Sequence, residues 1–170
     1  SDNMDDWTFT FAETGLETQT GERLMRIRHL LDGEKCFMVT YGDGVADINL
    51  AELLAFHRTC GKIATVSGGH GHTKYGLLEV DTTGRVRSFA QKPRLPDYIN
   101  IGFMVLEPAV FRYLQPGDAI EDALTRLAQD GELMMFPHEG FFHAMDTLRD
   151  YEDLNAIWES GNPQWKIWGA

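Results

Sequence analysis

Two strand-length apolar runs enclose one well-bounded helix, and this arrangement limits the fold more than any other feature of the chain. The first run, CFMVTY, covers residues 36–41, and the second, KIATVSG, covers residues 62–68. Between them, Asn49 is a favourable N-cap for a helix that Gly61 ends. Continuous apolar runs are typical of strands buried on both faces. The order predicts a βαβ unit with parallel strands and a right-handed crossover.

The remaining patterns extend this unit into an α/β fold. Aromatic residues alternate with threonine over residues 7–11, which predicts an N-terminal strand, and residues 75–93 predict a β-hairpin. The glycine-rich stretch at 68–74 is typical of a flexible loop. We predict a single domain over residues 1–170, with a mainly parallel sheet, an antiparallel hairpin insertion and an aromatic tail at 162–170.

Composition and charge exclude several classes of protein. The chain has 170 residues, with 15 Lys and Arg against 26 Asp and Glu, which gives a net charge of −11. Nucleic acids and anionic membranes require a basic face, so we expect neither as a partner. No apolar run approaches the ~18 residues of a membrane-spanning helix. Cys36 and Cys60 fit no zinc or redox motif and are expected to be buried free thiols, as in a cytoplasmic protein.

The segment TYGDGVAD, residues 40–47, offers the strongest chemical signal. Asp43 lies between two glycines directly after a predicted strand. Ligands of open α/β sheets bind beyond the carboxyl ends of the strands. A carboxylate there suits Mg²⁺, which takes one or two protein carboxylates and completes its shell with phosphate oxygens and water. A turn in which Asp43 caps a neighbouring amide is the alternative, and Asp47 is expected to cap the next helix.

Three further residues are candidates whose spacing alone leaves a second interpretation open. Asp146 ends a predicted strand before a helix, so it is either a helix N-cap or a partner of Asp43 in a magnesium site. Lys92 precedes Pro93 at the end of the hairpin, where it either holds a phosphate or is a solvated surface lysine. Asn100 could bind sugar hydroxyls, because its amide both donates and accepts, or it could form a turn.

Taken together, these motifs resemble the sugar-1-phosphate nucleotidyltransferases, and most of all the glucose-1-phosphate cytidylyltransferase branch. The resemblance covers about residues 7–168. It rests on TYGDGVAD at 40–47, YG at 75–76, VRSFAQKP at 86–93, NIGFMVLEP at 100–108, LAQDGELMMF at 127–136 and MDTLRDYEDL at 145–154. The resemblance implies a Rossmann-like nucleotidyltransferase fold. It also implies attack of α-D-glucose 1-phosphate on the α-phosphate of CTP, which gives CDP-glucose and pyrophosphate.

The resemblance also implies roles for individual residues. Asp43 and Asp146 would hold Mg²⁺ against the triphosphate, and Lys92 would neutralise the sugar phosphate. The substrates would contact Tyr41, Gly42, Tyr75, Gly76, Gln91, Asn100 and Gly102. Gln91 stands where the family usually has Glu, and Ile101 stands where it usually has Gly. The first change removes a charge, and the second adds bulk beside the sugar pocket.

The family's glycine-rich loop and its PKPM-type motif are not found in this sequence. We therefore expect the chain to correspond to the C-terminal two-thirds of the family's domain. We also expect these 170 residues alone to be inactive, because cationic groups and amides of the loop would neutralise the triphosphate. A transferase using dTTP, UTP or GTP, or a non-catalytic sugar-phosphate-binding or assembly module, remains open. The tail tryptophans predict a homo-oligomer, with the tail or residues 133–145 near the contact.

Overall fold

A computed structural model of the chain describes residues 7–73, 75–91 and 93–168. These residues form four helices and eight strands. The helices are α1 (Thr20–Arg26), α2 (Leu50–Cys60), α3 (Ile120–Gln129) and α4 (Leu148–Glu159). The strands are β1 (Phe37–Thr40), β2 (Gly44–Ala46), β3 (Ala64–His72), β4 (Gly76–Val80), β5 (Val86–Gln91), β6 (Arg94–Leu106), β7 (Leu133–Pro137) and β8 (Phe142–Ala144). Two 3₁₀ turns, Arg28–Leu31 and Pro108–Arg112, complete the framework. None of the helices described is long and apolar enough to cross a membrane.

The main sheet has four strands in the order β1-β6-β3-β7. Strand β6 is antiparallel to both β1 and β3, whereas β3 and β7 are parallel. Strands β1, β3 and β7 therefore run in one direction, and β6 alone opposes them. The predicted βαβ strands are indeed parallel, but β6 lies between them, so the sheet is mixed in its hydrogen bonding.

Helices cover both faces of this sheet. Side chains of β6 alternate between the two faces, as they do in any strand. Met104 and Leu106 join the larger core with α1 and α3, whereas Val105 joins Ile48 and Leu53 of the α2 side. Helix α2 begins and ends as the sequence predicts: Asn49 Oδ1 accepts from the main-chain nitrogens of Ala51 and Glu52, and Gly61 is left-handed.

Two antiparallel ribbons stand outside the main sheet. Strands β4 and β5 form the predicted hairpin, with Gly76 opposite Gln91. Strands β2 and β8 form a shorter ribbon, although they lie almost a hundred residues apart in sequence. Because β2 follows β1 and β8 follows β7, this second ribbon lies where two strands of the main sheet end.

Three sequence predictions were wrong in local detail. Residues 7–11 form no strand, and Phe11 is 95% exposed, because no strand in the part of the chain that the structure describes pairs with them. Strand β1 is an edge strand of the described sheet, with alternate residues exposed, rather than a central strand buried on both faces. The glycine-rich stretch is not a loop as far as His72, because β3 continues through it in pairing with β6.

Close packing explains why glycine occupies these strand positions. A Cβ at Gly68 would lie 2.7 Å from the sulfur of Met135, and a Cβ at Gly69 would lie 2.9 Å from Ile101 Cγ2. Contacts below 3.0 Å force a neighbour to move. The glycines thus let large side chains pack across the strand, and composition alone did not distinguish this use from a flexible loop.

Gly102 tests how far such packing stabilises the fold. It has φ +84°, and a Cβ there would lie 2.7 Å from Cδ2 of Tyr41. Gly84 has nearly the same φ, +83°, with nothing within 4 Å of a Cβ. An alanine at Gly84 therefore measures only the cost of the left-handed backbone conformation. We expect Gly84→Ala to lower the free energy of unfolding by about 1–2 kcal/mol. Gly102→Ala should cost a further ~1–3 kcal/mol, because the Tyr41 ring must move. Urea unfolding measures both, and equal losses would contradict the packing role of Gly102.

Candidate active site

A small cavity of about 170 Å³ lies where β1, β6 and the β2–β8 ribbon meet. Its walls combine two carboxylates, one carboxamide, one phenol and several small or apolar side chains. The lining residues are Thr40, Tyr41, Asp43, Gly44, Asn100, Ile101, Phe142, Ala144 and Asp146. The structure therefore brings together Tyr41, Asp43, Asn100 and Asp146, which sequence analysis had singled out from three distant segments.

The β2–β8 ribbon places the two carboxylates beside each other. Gly44 pairs with Ala144, and just beyond this pair the main-chain nitrogen of Met145 donates to the carbonyl oxygen of Asp43 at 2.7 Å. Asp43 thus uses its main-chain oxygen for pairing. Asp146 follows Met145 directly and lines the same cavity. Both carboxylates are carried by backbone that is held by hydrogen bonds.

Asp146 does not cap helix α4, so its side chain can line the cavity. Thr147, not Asp146, is the N-cap, and its hydroxyl accepts from the main-chain nitrogen of Asp150 at 3.2 Å. In return the Asp150 carboxylate accepts from the main-chain nitrogen of Thr147 at 2.8 Å. The interpretation of Asp146 as a helix cap was therefore wrong. Asp47 does not cap α2 either, because Asn49 does so.

Tyr41 joins the cavity to the core of the domain. Its ring lies against Gly102, and its hydroxyl donates to the Glu121 carboxylate of α3. Partial burial, followed by this hydrogen bond to a carboxylate, raises the pKa of the Tyr41 hydroxyl. The phenol is therefore a neutral donor at physiological pH. Glu121 carried no sequence signal, because it is eighty residues away and reaches the site only through the fold.

Asn100 has the turn-forming role that its sequence context allowed, and its contact with sugar hydroxyls stays a prediction. Its Oδ1 accepts from the main-chain nitrogen of Gly102 at 2.9 Å, which fixes the local turn of β6. The side chain also lines the cavity, with its amide nitrogen available to donate. Ile101 lies next to it and is 3% exposed, so its bulk is part of the cavity wall.

The other predicted site residues that the structure describes are not among the residues that line the cavity. Gly42 is exposed in the turn between Tyr41 and Asp43, and Gly102 lies behind the Tyr41 ring. Tyr75, Gly76 and Gln91 lie on the β4–β5 hairpin, and the structure does not place them among the residues that line the cavity. Tyr75 is 77% exposed. Lys92 lies outside the described residues.

Phe142 is the largest of the lining residues that were not predicted from the sequence, which also include Thr40, Gly44 and Ala144. It belongs to β8 and faces Ala46 of β2, and its Cε2 would lie 3.4 Å from a Cβ at Gly44. The one available signal was its place four residues before Asp146 in a strand-like segment.

The aromatic tail packs partly on the body: the Trp165 ring lies 5.5 Å from that of Phe141 and 6.4 Å from that of Trp158. Trp168 remains 53% exposed, and the homo-oligomer stays a prediction.

The arrangement of the oxygen ligands fits a substrate-completed metal site. Over residues 7–73, 75–91 and 93–168 no group of three or more His, Cys, Asp or Glu side chains could hold a metal ion. Two carboxylates at one cavity are what a Mg²⁺ ion takes from a protein when phosphate oxygens and water supply its other ligands.

Comparison with known proteins shows the family of the chain. The family model described as "Nucleotidyl transferase" matches residues 3–165. This chain belongs to the nucleotidyl transferase family. The resemblance found in the sequence is thereby confirmed.

Two relatives with similar sequences are named as glucose-1-phosphate cytidylyltransferases. A glucose-1-phosphate cytidylyltransferase of Salmonella typhi is 40% identical over 169 residues, which cover 97% of this chain and 65% of the relative. A probable glucose-1-phosphate cytidylyltransferase of Bacillus subtilis (strain 168) is 39% identical over 165 residues, which cover 95% of this chain and 64% of the relative. This chain thus spans about two-thirds of the length of these relatives.

Solved structures agree on the fold. A Bacillus anthracis structure in complex with sucrose, described as a glucose-1-phosphate thymidylyltransferase, superposes with a TM-score of 0.67. The match covers 92% of this chain and 65% of that one, at 16% sequence identity. At this identity the likeness concerns the fold alone, and it confirms the α/β nucleotidyltransferase fold predicted from the sequence.

Thr147 provides a test of how α4 is anchored beside Asp146. Thr147→Ala removes the cap, and we expect the Tm to fall by about 2–4 °C, whereas Thr147→Ser keeps the hydroxyl and should change the Tm little.

The hydrogen bonds from Thr147, ahead of those from other groups, lower the pKa of the Asp150 carboxyl from its ordinary value of 3.8. A lowered carboxyl pKa stabilises the fold above the unfolded-state pKa, and this is lost as the pH falls through the folded-state pKa. The difference between Ala and Ser should therefore persist at neutral pH and shrink below about pH 3.8. Thermal melts across this range measure it, and no difference at pH 7 would contradict the capping role.

Proposed function

We propose that this chain forms part of an enzyme that transfers a cytidylyl group from CTP to α-D-glucose 1-phosphate, with release of pyrophosphate. The observation that supports this most strongly is the 40% identity to a glucose-1-phosphate cytidylyltransferase over 97% of the chain. The cavity adds physical support, because two of the resemblance motifs that lie about a hundred residues apart supply carboxylates to one wall.

In this proposal Asp43 and Asp146 hold Mg²⁺. Carboxylate oxygens are hard ligands of the kind that Mg²⁺ prefers, and the ribbon presents both from hydrogen-bonded backbone. When bound, the ion would supply positive charge to the triphosphate. This is needed because the chain itself has a net charge of −11, and the two aspartates add negative charge at the site.

The chain's own residues would bind and orient the two substrates. Lys92 would hold the phosphate of the sugar as a point charge, as the resemblance implies. The amide N–H of Asn100 would donate to a sugar hydroxyl, and the bulk of Ile101 would limit the size of the group that fits beside it. Catalysis by positioning and charge neutralisation requires no covalent intermediate on the protein.

The carboxylates can be tested by changing charge without changing size. In the complete gene product, Asp43→Asn and Asp146→Asn should each lower kcat by about 10²–10³-fold, because neutral amides bind Mg²⁺ poorly. The Tm should change little. Asp153→Asn is the matched control: it makes the same substitution on α4, where Asp153 is 55% exposed and pairs with Arg149 at 3.8 Å.

Pyrophosphate release with glucose 1-phosphate and each of CTP, dTTP, UTP and GTP measures both activity and base preference. Unchanged kcat in either site variant would remove that residue from the metal site. Equal rates with all four nucleotides, or a preference for another than CTP, would contradict the cytidylyl assignment.

Lys92 is expected to act on one substrate only. Lys92→Ala should raise the KM for glucose 1-phosphate by about ten-fold or more and leave the KM for CTP nearly unchanged, because a charge-assisted contact to the sugar phosphate is lost. Lys62→Ala is the control, since Lys62 makes an ion pair with Glu132 at 3.0 Å at the start of β3. A rise in the KM for CTP instead would show that Lys92 binds the nucleotide.

A further inference from the structure

The β2–β8 ribbon has no local device to set its register. Each strand has three residues, and no turn connects them, because β2 ends at Ala46 and β8 begins at Phe142. Three of the six facing residues, Gly44, Ala46 and Ala144, are small, so side-chain interlocking is confined to the larger side chains of Val45, His143 and Phe142. A slip of one residue would move Asp43 by about 3.3 Å relative to Asp146. The two carboxylates could then no longer share one ion.

The end of the ribbon away from the carboxylates is held by a group of hydrogen bonds around one carbonyl. Phe141 O accepts from the main-chain nitrogen of Asp47 at 3.2 Å. The same oxygen lies 3.1 Å from Nε2 of His138, and since a carbonyl only accepts, the ring nitrogen donates. The main-chain nitrogen of His138 donates to Gly68 O of β3 at 2.7 Å. His138 therefore connects the ribbon to the main sheet.

One oxygen of the Asp47 carboxylate is buried at this same point. Its Oδ1 lies 3.0 Å from Nε2 of His138, but the ring proton points to Phe141 O, and this buried oxygen has no aligned hydrogen-bond partner among the described residues. A Cβ at Gly140 would lie 2.2 Å from the same oxygen. An unsatisfied buried oxygen costs stability, so its retention requires an explanation. Charge attraction to the His138 N–H, together with the absence of a side chain at Gly140, fixes Asp47 against the loop.

We propose that His138, with Asp47, is a positioning residue that sets the register of the β2–β8 ribbon and thereby the spacing of Asp43 and Asp146. His138 is 8% exposed, so its ring is held by packing as well as by hydrogen bonds. It acts on the metal site only through the ribbon. This inference rests on the proposed function, because it assigns a purpose to the spacing of the proposed metal ligands.

The test measures binding of Mn²⁺, used in place of Mg²⁺, to the complete gene product. Electron paramagnetic resonance follows the free ion during titration at a fixed concentration of CDP-glucose, the product of the proposed reaction, because phosphate oxygens complete the proposed site. We expect His138→Leu to weaken Mn²⁺ binding by about 10–100-fold, the size of effect seen for groups that orient metal ligands. His138→Gln places an amide donor near the position of Nε2 and should restore binding to within about three-fold of the native protein. His29→Leu, at an exposed histidine of the Arg28–Leu31 turn, is the matched control and should bind normally.

Gly140→Ala provides an independent variant should His138→Leu fail to fold. It removes no polar group but displaces Asp47, and it should also weaken Mn²⁺ binding about ten-fold or more. A purely structural role would lower the Tm of these variants and leave Mn²⁺ affinity unchanged, which would overturn the proposal.

Asp43→Asn separates this inference from the proposed function. Loss of Mn²⁺ binding in Asp43→Asn with normal binding in His138→Leu and Gly140→Ala would keep the metal site and reject the positioning role. Native protein that binds no Mn²⁺, or Asp43→Asn that binds normally, would reject the metal site and this inference with it.

Discussion

The candidate site depends on one pairing of backbone, that of β2 with β8. The bond from the Met145 nitrogen to the Asp43 oxygen and the three residue pairs beyond it join two parts of the chain that are far apart in sequence. Without this ribbon, Asp43 would end a turn after β1, and Asp146 would precede α4, with nothing to hold them together. The cavity, its carboxylates and any ion between them all follow from these few hydrogen bonds.

The rest of the domain holds this ribbon in place. Strand β6 pairs with β1 and β3, which brings Asn100 and Ile101 to the cavity beside Tyr41. Gly102 lets the Tyr41 ring pack onto β6, and Glu121 fixes the phenol from α3. On the other side, the Thr147–Asp150 cap starts α4 directly after Asp146. The groups that line the cavity thus lie on or directly beside helices and strands, which is what the proposed function, based on positioning, would require.

The tertiary context explains where the sequence predictions failed. Residues 7–11 have strand composition, but a strand forms only with a partner, and the described sheet offers none to them. The glycines from 68 to 71 have loop composition, but β6 pairs with this backbone and covers it with Ile99 and Ile101. Two histidines of this region make polar contacts that also depend on the tertiary structure: Nε2 of His138 lies 3.1 Å from Phe141 O, and Nε2 of His143 lies 3.4 Å from the Asp150 carboxylate.

The sequence by itself determined the elements whose causes are local. Helix α2 with its Asn49 and Gly61 caps, the hairpin of β4 and β5, and the α/β class follow from periodicity, capping and turn chemistry within a few residues. The order of motifs was sufficient to identify the family. Only the tertiary structure decided that β6 separates β1 from β3, that Asp146 leaves helix capping to Thr147, and that Asp43, Asn100 and Asp146 share one cavity. These outcomes rest on pairing between segments distant in sequence, because register and strand order are set by which backbones meet and by what packs upon them.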